Sequence, residues 1–370
     1  MWRNAWLAGS ETFVRDQMAA MRSWSPLRFG LRGVADPLTP ADLTLLGPSR
    51  RNELRLEVLG SIGLRRRAAA FLRDNDARLV HAHFGLDATS ARPVADALGL
   101  PLIATCHGYD VTLLPRLPGP IGREYRRRLG QMFGSAAALI AVSRFIADRM
   151  IALGADPARV QILPIGIDTH GVRDSDPLPD PGQRRGVAFV GRLVPKKGVR
   201  DVLRIWASLP PDVRAEHPLR IVGEGPERAA LEADAARIDG EIELLGYRSS
   251  DEVADVLEHS AVYFQPSRTA ADGDAEGFGM VYLEAALRGL PSVAYAHGGV
   301  TDAVADGATG LLAPEGDEDE LRGNLERLLT DAALAGRLGA AGRARVLSDF
   351  DIVACTAALE SLYDSVTGRR

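Results

Sequence analysis

The stretch VAFVGRLVPKKG, Val187–Gly198, decides how the chain is to be read. Val187–Val190 is a short apolar run with no polar alternation, the habit of a strand buried on both faces of a parallel sheet. A glycine and a basic loop follow it directly. Open α/β sheets bind ligands beyond the carboxyl ends of their strands, so Arg192 and Lys197 lie where a ligand would be met. Arginine offers a planar fork to phosphate oxygens and lysine a point charge. Taken alone, the loop reads better as solvated basic residues before a helix, and Lys196 is read that way. Toward the C-terminus the same kind of run recurs at Leu219–Val222, Ile242–Leu245, Ala261–Phe264 and Ser292–Tyr295, with helical stretches at Glu227–Ala236 and Asp251–His259. After these the chain reads as mostly helical. Toward the N-terminus it recurs at Leu79–Phe84, Leu102–Thr105, Ala138–Val142 and Val160–Leu163, around helical stretches at Arg123–Phe133 and Ser143–Leu153. Between the two series lies Gly166–Arg185, which carries Pro177, Pro179 and Pro181 and reads as a linker. Strand–helix alternation on both sides of a linker predicts an α/β chain of two Rossmann-like domains, residues 1–168 and 186–350, facing across a cleft.

Composition narrows the function. The chain has 370 residues, 46% hydrophobic and 25% charged, with a net charge of -5. That is globular and argues against a dedicated nucleic-acid binder. Two cysteines, Cys106 and Cys355, make neither a disulfide framework nor a cysteine zinc site, and a cytoplasmic setting is expected. No apolar run approaches the ~18 residues of a membrane span, and Arg3-Asn4 and Ser10-Glu11 interrupt any signal-peptide core.

The most informative motif is GDAEGFGMVYLEAALRG, Gly273–Gly289. Gly277 and Gly279 precede an apolar run that reads as a helix start. Glycine lets backbone approach a ligand closely, and the amides near Phe278–Val281 would be the unpaired donors of a helix N-terminus. Glu276 lies just before that helix and Glu284 about a turn and a half inside it, so a ligand could meet a carboxylate at each end. The plainer alternative is an acidic cap and a surface glutamate.

In their order along the chain, GRLVPKKG, IVGEGPE (Ile221–Glu227) and EGFGMVYLEA resemble the retaining glycosyltransferases of family four, which have the GT-B architecture. SETFVRDQ (Ser10–Gln17), HAHFG (His81–Gly85), HGYD (His107–Asp110) and the GDAEG loop are similar to the colanic-acid and exopolysaccharide branch. The resemblance covers about Ser10 to Tyr363 and implies a C-terminal helix, about 352–366, returning to the first domain. It implies that Arg192 and Lys197 bind a donor diphosphate, that Glu284 holds the ribose, and that Glu276 and His107 face the transferred sugar. Gly277, Phe278, Gly279, Met280 and Val281 would offer amides to sugar and phosphate. Gly9 and Gly223 would border the donor, and Ser10, Glu11, His83 and Asp110 would lie on the acceptor side. Two positions depart from the family: Ile165 replaces a usual asparagine, and Gly9 stands alone in place of a glycine pair. The expected reaction moves a sugar from a nucleotide diphosphate donor to a hydroxyl acceptor, with two cations and a helix N-terminus in place of a metal. No cofactor is expected. Retention by double displacement and by attack from the leaving-group face are both open, the second being favoured. A non-catalytic sugar-nucleotide sensor or partner subunit is the alternative.

Weaker signals carry plain readings. Asp272-Gly273-Asp274 spells a metal motif of another glycosyltransferase fold but sits away from a strand end, and is read as an acidic loop. His81 and His83 are read with one ring toward the cleft and the other toward the sheet; two histidines alone are poor evidence for a metal. His170, His217 and His259 read as solvent-facing or incidental residues. Arg65–Arg67 and Arg126–Arg128 are solvated helix faces or a contact for an anionic lipid or lipid-diphosphate acceptor, which would place the protein peripherally on a membrane. Finally, only nine residues precede SETF, the expected helix after the first loop. Trp2–Leu7 carries Arg3 and Asn4, which are costly in a two-sided core. A missing or stunted first strand is expected, with Met1 inside a longer reading frame, unless Arg3 or Asn4 sits at the cleft end of the strand.

Overall fold

The computed structural model describes residues 1–9, 11–49 and 62–369, and Ser10 lies outside them. The chain divides into two compact units, 1–168 with 352–370, and 169–351.

The first unit holds a parallel sheet of β1 (Trp2–Ala5), β2 (Phe29–Arg32), β3 (Leu43–Leu46), β4 (Val80–His83), β5 (Leu102–Cys106), β6 (Ala138–Ala141) and β7 (Val160–Ile162). Their order is β3-β2-β1-β4-β5-β6-β7. The expectation of a missing first strand is therefore overturned. β1 pairs with β2 through Trp2↔Phe29, Arg3↔Gly30 and Ala5↔Arg32, and with β4 through Trp2↔Ala82. Its tryptophans supply the core: Trp2 stacks on Phe29 at 4.4 Å between ring centroids, and Trp6 packs with Leu7, Val14 and Met18. Arg3 is buried but paired, which offsets the cost of placing it there. β2 and β3 lie in a proline-punctuated stretch where local pattern gave no strand signal. The C-terminal helix Ile352–Thr367 belongs to this unit, where Leu359, Leu362 and Tyr363 pack on Ile103 and Ile140.

The second unit holds β8 (Val187–Val190), β9 (Leu219–Val222), β10 (Ile242–Gly246), β11 (Val262–Phe264), β12 (Ser292–Ala296) and β13 (Gly310–Pro314), all parallel, in the order β10-β9-β8-β11-β12-β13. β13 was not anticipated, because a single run of four residues before Pro314 lies within helical sequence. A hydrophobic core of this unit gathers around Phe189, Trp206, Phe264 and Tyr295. The proline-rich stretch is not a free linker. Arg184 Nη1 donates to the Gly289 carbonyl at 3.0 Å, Leu178 packs on Gly289, and Pro181 on Gly336. Its composition excludes helix and strand but says nothing about where it packs. In each sheet the strand order reverses once, at β1/β4 and at β8/β11, and the loops after those strands flank the place where α/β sheets bind ligands.

Candidate functional site

In the second unit the loops after the strands interlock through backbone. After β8, Gly191 N–H donates to the Val222 carbonyl at 3.0 Å and Leu193 N–H to the Glu224 carbonyl at 2.9 Å. Gly223 has φ +137°, and a Cβ there would lie 1.9 Å from the Gly191 carbonyl oxygen. This glycine, expected beside the donor, is accounted for by that close approach. Pro195–Lys197 forms one 3-10 turn closed by Gly198 in the left-handed region. The turn presents both lysines to the loop after β11.

There Lys197 Nζ lies 2.5 Å from Glu276 Oε2, and Lys196 Nζ 2.9 Å from Asp274 Oδ2. Lys196 is thus not a solvated residue, and the acidic loop is answered by lysine. Glu276 is buried, and burial pushes its carboxyl up; Lys197 and Lys196 more than offset this and hold it below the ordinary carboxylate range. It is therefore ionised at neutral pH. Gly279, at φ +90°, starts the helix Met280–Leu287. The amides of Met280 and Val281 are its first turn, where no intrahelical acceptor is available. Glu284 stands half-buried on the second turn, and Arg192 is exposed in the loop after β8.

Two residues of this site went unnoticed in the sequence. His297 is buried after β12; its Nε2 accepts from the Glu276 N–H at 3.4 Å and its Nδ1 lies 2.8 Å from Glu315 Oε2. Glu315, just after β13, also accepts from the Thr269 N–H at 2.6 Å. Burial pushes Glu315 up, and the Thr269 amide and His297 bring it below the ordinary range. Gly299 N–H donates to the Glu276 carbonyl at 2.9 Å, and a Cβ on Gly299 would lie 2.0 Å from the Gly277 carbonyl oxygen. The signal available was His297-Gly298-Gly299 directly after a strand the sequence had already located.

In the first unit the loops after β1, β4 and β5 converge. Arg3 Nη1 lies 3.0 Å from Asp87 Oδ2 and donates to the His83 carbonyl at 2.9 Å, while Arg3 Nη2 pairs with Glu11. Burial raises the Glu11 carboxyl against the pull of Arg3, and raises Asp87 to about 6. Glu11 is thus Arg3's partner in the structure. Asp110 also finds its partners within the protein. It is fully buried and accepts from the N–H groups of Gly85 at 2.7 Å, Gly108 at 2.8 Å and His107 at 3.2 Å, so it shapes the loop that carries His107. His83 and His81 lie on one face of β4 with ring centroids 4.5 Å apart. The expectation that they face opposite ways fails because strand side chains alternate with period two. His83 is fully buried and does not itself line a surface; its Nδ1 lies 3.0 Å from Nε2 of the half-buried His107. His81 bonds Tyr363 and Thr105. Gly9 is exposed, with no atom within 4 Å of the Cβ position.

Elsewhere, His217 is buried, its Nδ1 accepting at 3.2 Å from the N–H of Gly186, the residue just before β8. Arg127 and Arg128 both pair with Glu124 at 2.7 Å, so that basic run is partly neutralised. Among the described residues, no helix is long and apolar enough to cross a membrane.

Two parallel-sheet Rossmann-like units, with cationic and glycine-rich loops at the carboxyl ends of the strands, are the architecture of the GT-B fold. HepE of Anabaena, solved in complex with UDP, shares this fold with a TM-score of 0.77 at 19% identity, over 98% of this chain and 99% of that one. The chain belongs to glycosyltransferase family 4: residues 29–170 match the model "Glycosyltransferase Family 4" and residues 173–345 match "Glycosyl transferases group 1". It is 28% identical to the amylovoran biosynthesis glycosyltransferase AmsK of Erwinia amylovora, over 67% of this chain and 60% of AmsK. It is also 28% identical to the protein named colanic acid biosynthesis glycosyltransferase WcaL in Salmonella typhimurium, over 77% of this chain and 70% of WcaL. The chain thus spans less than two thirds of the length of AmsK.

Proposed function

We propose that the chain is a metal-independent retaining glycosyltransferase that moves a hexosyl group from a nucleotide diphosphate sugar to a hydroxyl of a saccharide or lipid-linked saccharide acceptor. The observation that carries this reading is the pair of half-buried Lys197 with buried Glu276, beside the first amides of the helix Met280–Leu287. A diphosphate leaving group gains charge as the C1–O bond breaks, and Lys197, Arg192 and the helix N-terminus are fixed positive groups that stabilise it. Glu276, held ionised, stabilises positive character at the anomeric carbon or accepts from sugar hydroxyls. Glu284 holds the ribose. In front-face attack the acceptor oxygen bonds C1 on the face the phosphate leaves, and its proton passes to a phosphate oxygen. The UDP bound by HepE supports a nucleotide diphosphate donor, and the names of AmsK and WcaL support an exopolysaccharide precursor as acceptor. Such an acceptor would be met in the cytoplasm, at the membrane surface.

The test is release of nucleoside diphosphate from a panel of UDP-, GDP- and ADP-sugars, with and without EDTA. One donor should be turned over, equally in both conditions. Lys197→Ala and Arg192→Ala should each lower kcat by about 10²–10³, while Glu284→Ala should act mainly on donor KM. Donor binding without any release would mark a non-catalytic sensor, and loss in EDTA restored by Mn²⁺ would overturn metal independence.

A further inference from the structure

His83 and His107 meet through Nδ1 of the first and Nε2 of the second, 3.0 Å apart. Burial holds both imidazoles well below their ordinary range, so both rings are neutral at pH 7. Two neutral rings share one hydrogen at that contact, and there are two ways to place it. If His107 donates from Nε2, His83 must carry its own hydrogen on Nε2. That atom is buried and has no hydrogen-bond partner. A buried N–H left without an acceptor is among the rarest defects in folded proteins, rarer than an unpaired acceptor. Arg3, which donates to the His83 carbonyl and also has an unpartnered Nε, adds positive charge beside the ring and disfavours a second unpaired donor there. If His83 donates from Nδ1, its Nε2 is left as an unpaired acceptor, the lesser of the two defects. His107 then carries its hydrogen on Nδ1, which has no hydrogen-bond partner among the described residues.

We propose that His83 is a positioning residue that fixes His107 in the Nδ1–H tautomer, so that His107 meets its ligand as a hydrogen-bond donor to oxygen and not as a base. The ligand's identity rests on the transfer reaction proposed above. The chemistry has a consequence for that reaction: the proton of the acceptor hydroxyl has no place on His107 Nδ1 and must leave by another group. The device is assembled across the sheet. β4 and β5 pair in register His83↔Thr105, Asp110 fixes the backbone of His107, and Phe13 and Phe84 pack on its ring at 5.0 and 4.5 Å between centroids.

The experiment is nitrogen NMR of histidine-labelled full-length protein, which reports directly which ring nitrogen carries hydrogen, with His107 assigned by its loss in His107→Asn. Wild type should show His107 protonated on Nδ1 with Nε2 as acceptor. His83→Phe, which removes the donor, should shift His107 toward Nε2–H and lower turnover about 10–100-fold, the loss of one hydrogen bond to a polar reacting group. His83→Asn, which keeps a side-chain N–H near the position of Nδ1, should retain the Nδ1–H form and most of the turnover. His107 found as Nε2–H in wild type overturns the proposal, as does an unchanged tautomer in His83→Phe; the wild-type spectrum decides even if that variant fails to fold. The spectra do not depend on activity, so a protein with the expected tautomer but no turnover of any sugar nucleotide would sink the transferase reading and leave the tautomer assignment standing.

Discussion

Glu276 is the residue on which the second unit's site turns, and its protonation links chemistry to stability. Its folded pKa is depressed below the ordinary 4.5 because Lys197 and Lys196 outweigh the cost of burial. A carboxyl with a depressed folded pKa contributes stability above its unfolded pKa, and that contribution is lost as pH falls through the folded value. Glu276→Gln should therefore be less stable than wild type at pH 7, with a difference that narrows on acidification below about pH 4.5. Urea unfolding across that range checks it. Parallel profiles for the two proteins would show that the ion pair contributes nothing to the folded state.

At the scale of elements, the site is a set of loops locked together by backbone contacts, not a set of side chains on independent strands. Gly223 and Gly299 let the loops after β9 and β12 approach the loops after β8 and β11, with Cβ positions 1.9 Å and 2.0 Å from carbonyl oxygens. No side chain has room there, and rigid backbone cannot yield. Gly223→Ala should cost about 3 kcal/mol or more, or prevent the second unit from folding. Gly9→Ala, at an open position, should stay within about 0.5 kcal/mol of wild type. Denaturant midpoints of the two variants separate a packing role for Gly223 from a ligand role, since a glycine needed only by ligand would leave stability unchanged. β1 shows the same interdependence. Its Arg3 is tolerable only because Asp87 from the helix Gly85–Leu98 and Glu11 from the loop after β1 meet its guanidinium.

For the whole molecule, chain order and folding unit do not coincide. The last helix completes the first unit: Glu360 Oε1 accepts from the N–H groups of Arg22, Ser23 and Trp24 at 3.0, 2.7 and 2.8 Å. Glu360→Ala would leave three backbone donors without that acceptor, at a cost of about 2–4 kcal/mol. The damage should fall on the first unit, so the nucleotide binding proposed for the second, followed by calorimetry with UDP or GDP, should survive in the variant. Loss of nucleotide affinity together with stability would show that the two units do not fold independently.

The local sequence was enough for much of this. Apolar runs that lack alternation located β4 to β12 to within about two residues, because burial on both faces of a parallel sheet leaves its mark residue by residue. GRLVPKKG and the spacing of Glu276 and Glu284 located two of the loops, because glycine and charge at strand ends are also local facts. The tertiary structure decided everything that depends on a distant partner. Arg3 reads as an error in a buried strand until Asp87, far along the chain, is placed against it. Nothing in the sequence tells that the Asp110 carboxylate meets three backbone amides. His297 is marked locally only by the two glycines after it and Glu315 not at all; their role exists because β12 and β13 deliver them to the Glu276 loop. Sequence fixes which residues are apolar, flexible or charged, but the cost of burying a polar group depends on what it meets, and only the fold supplies the partner.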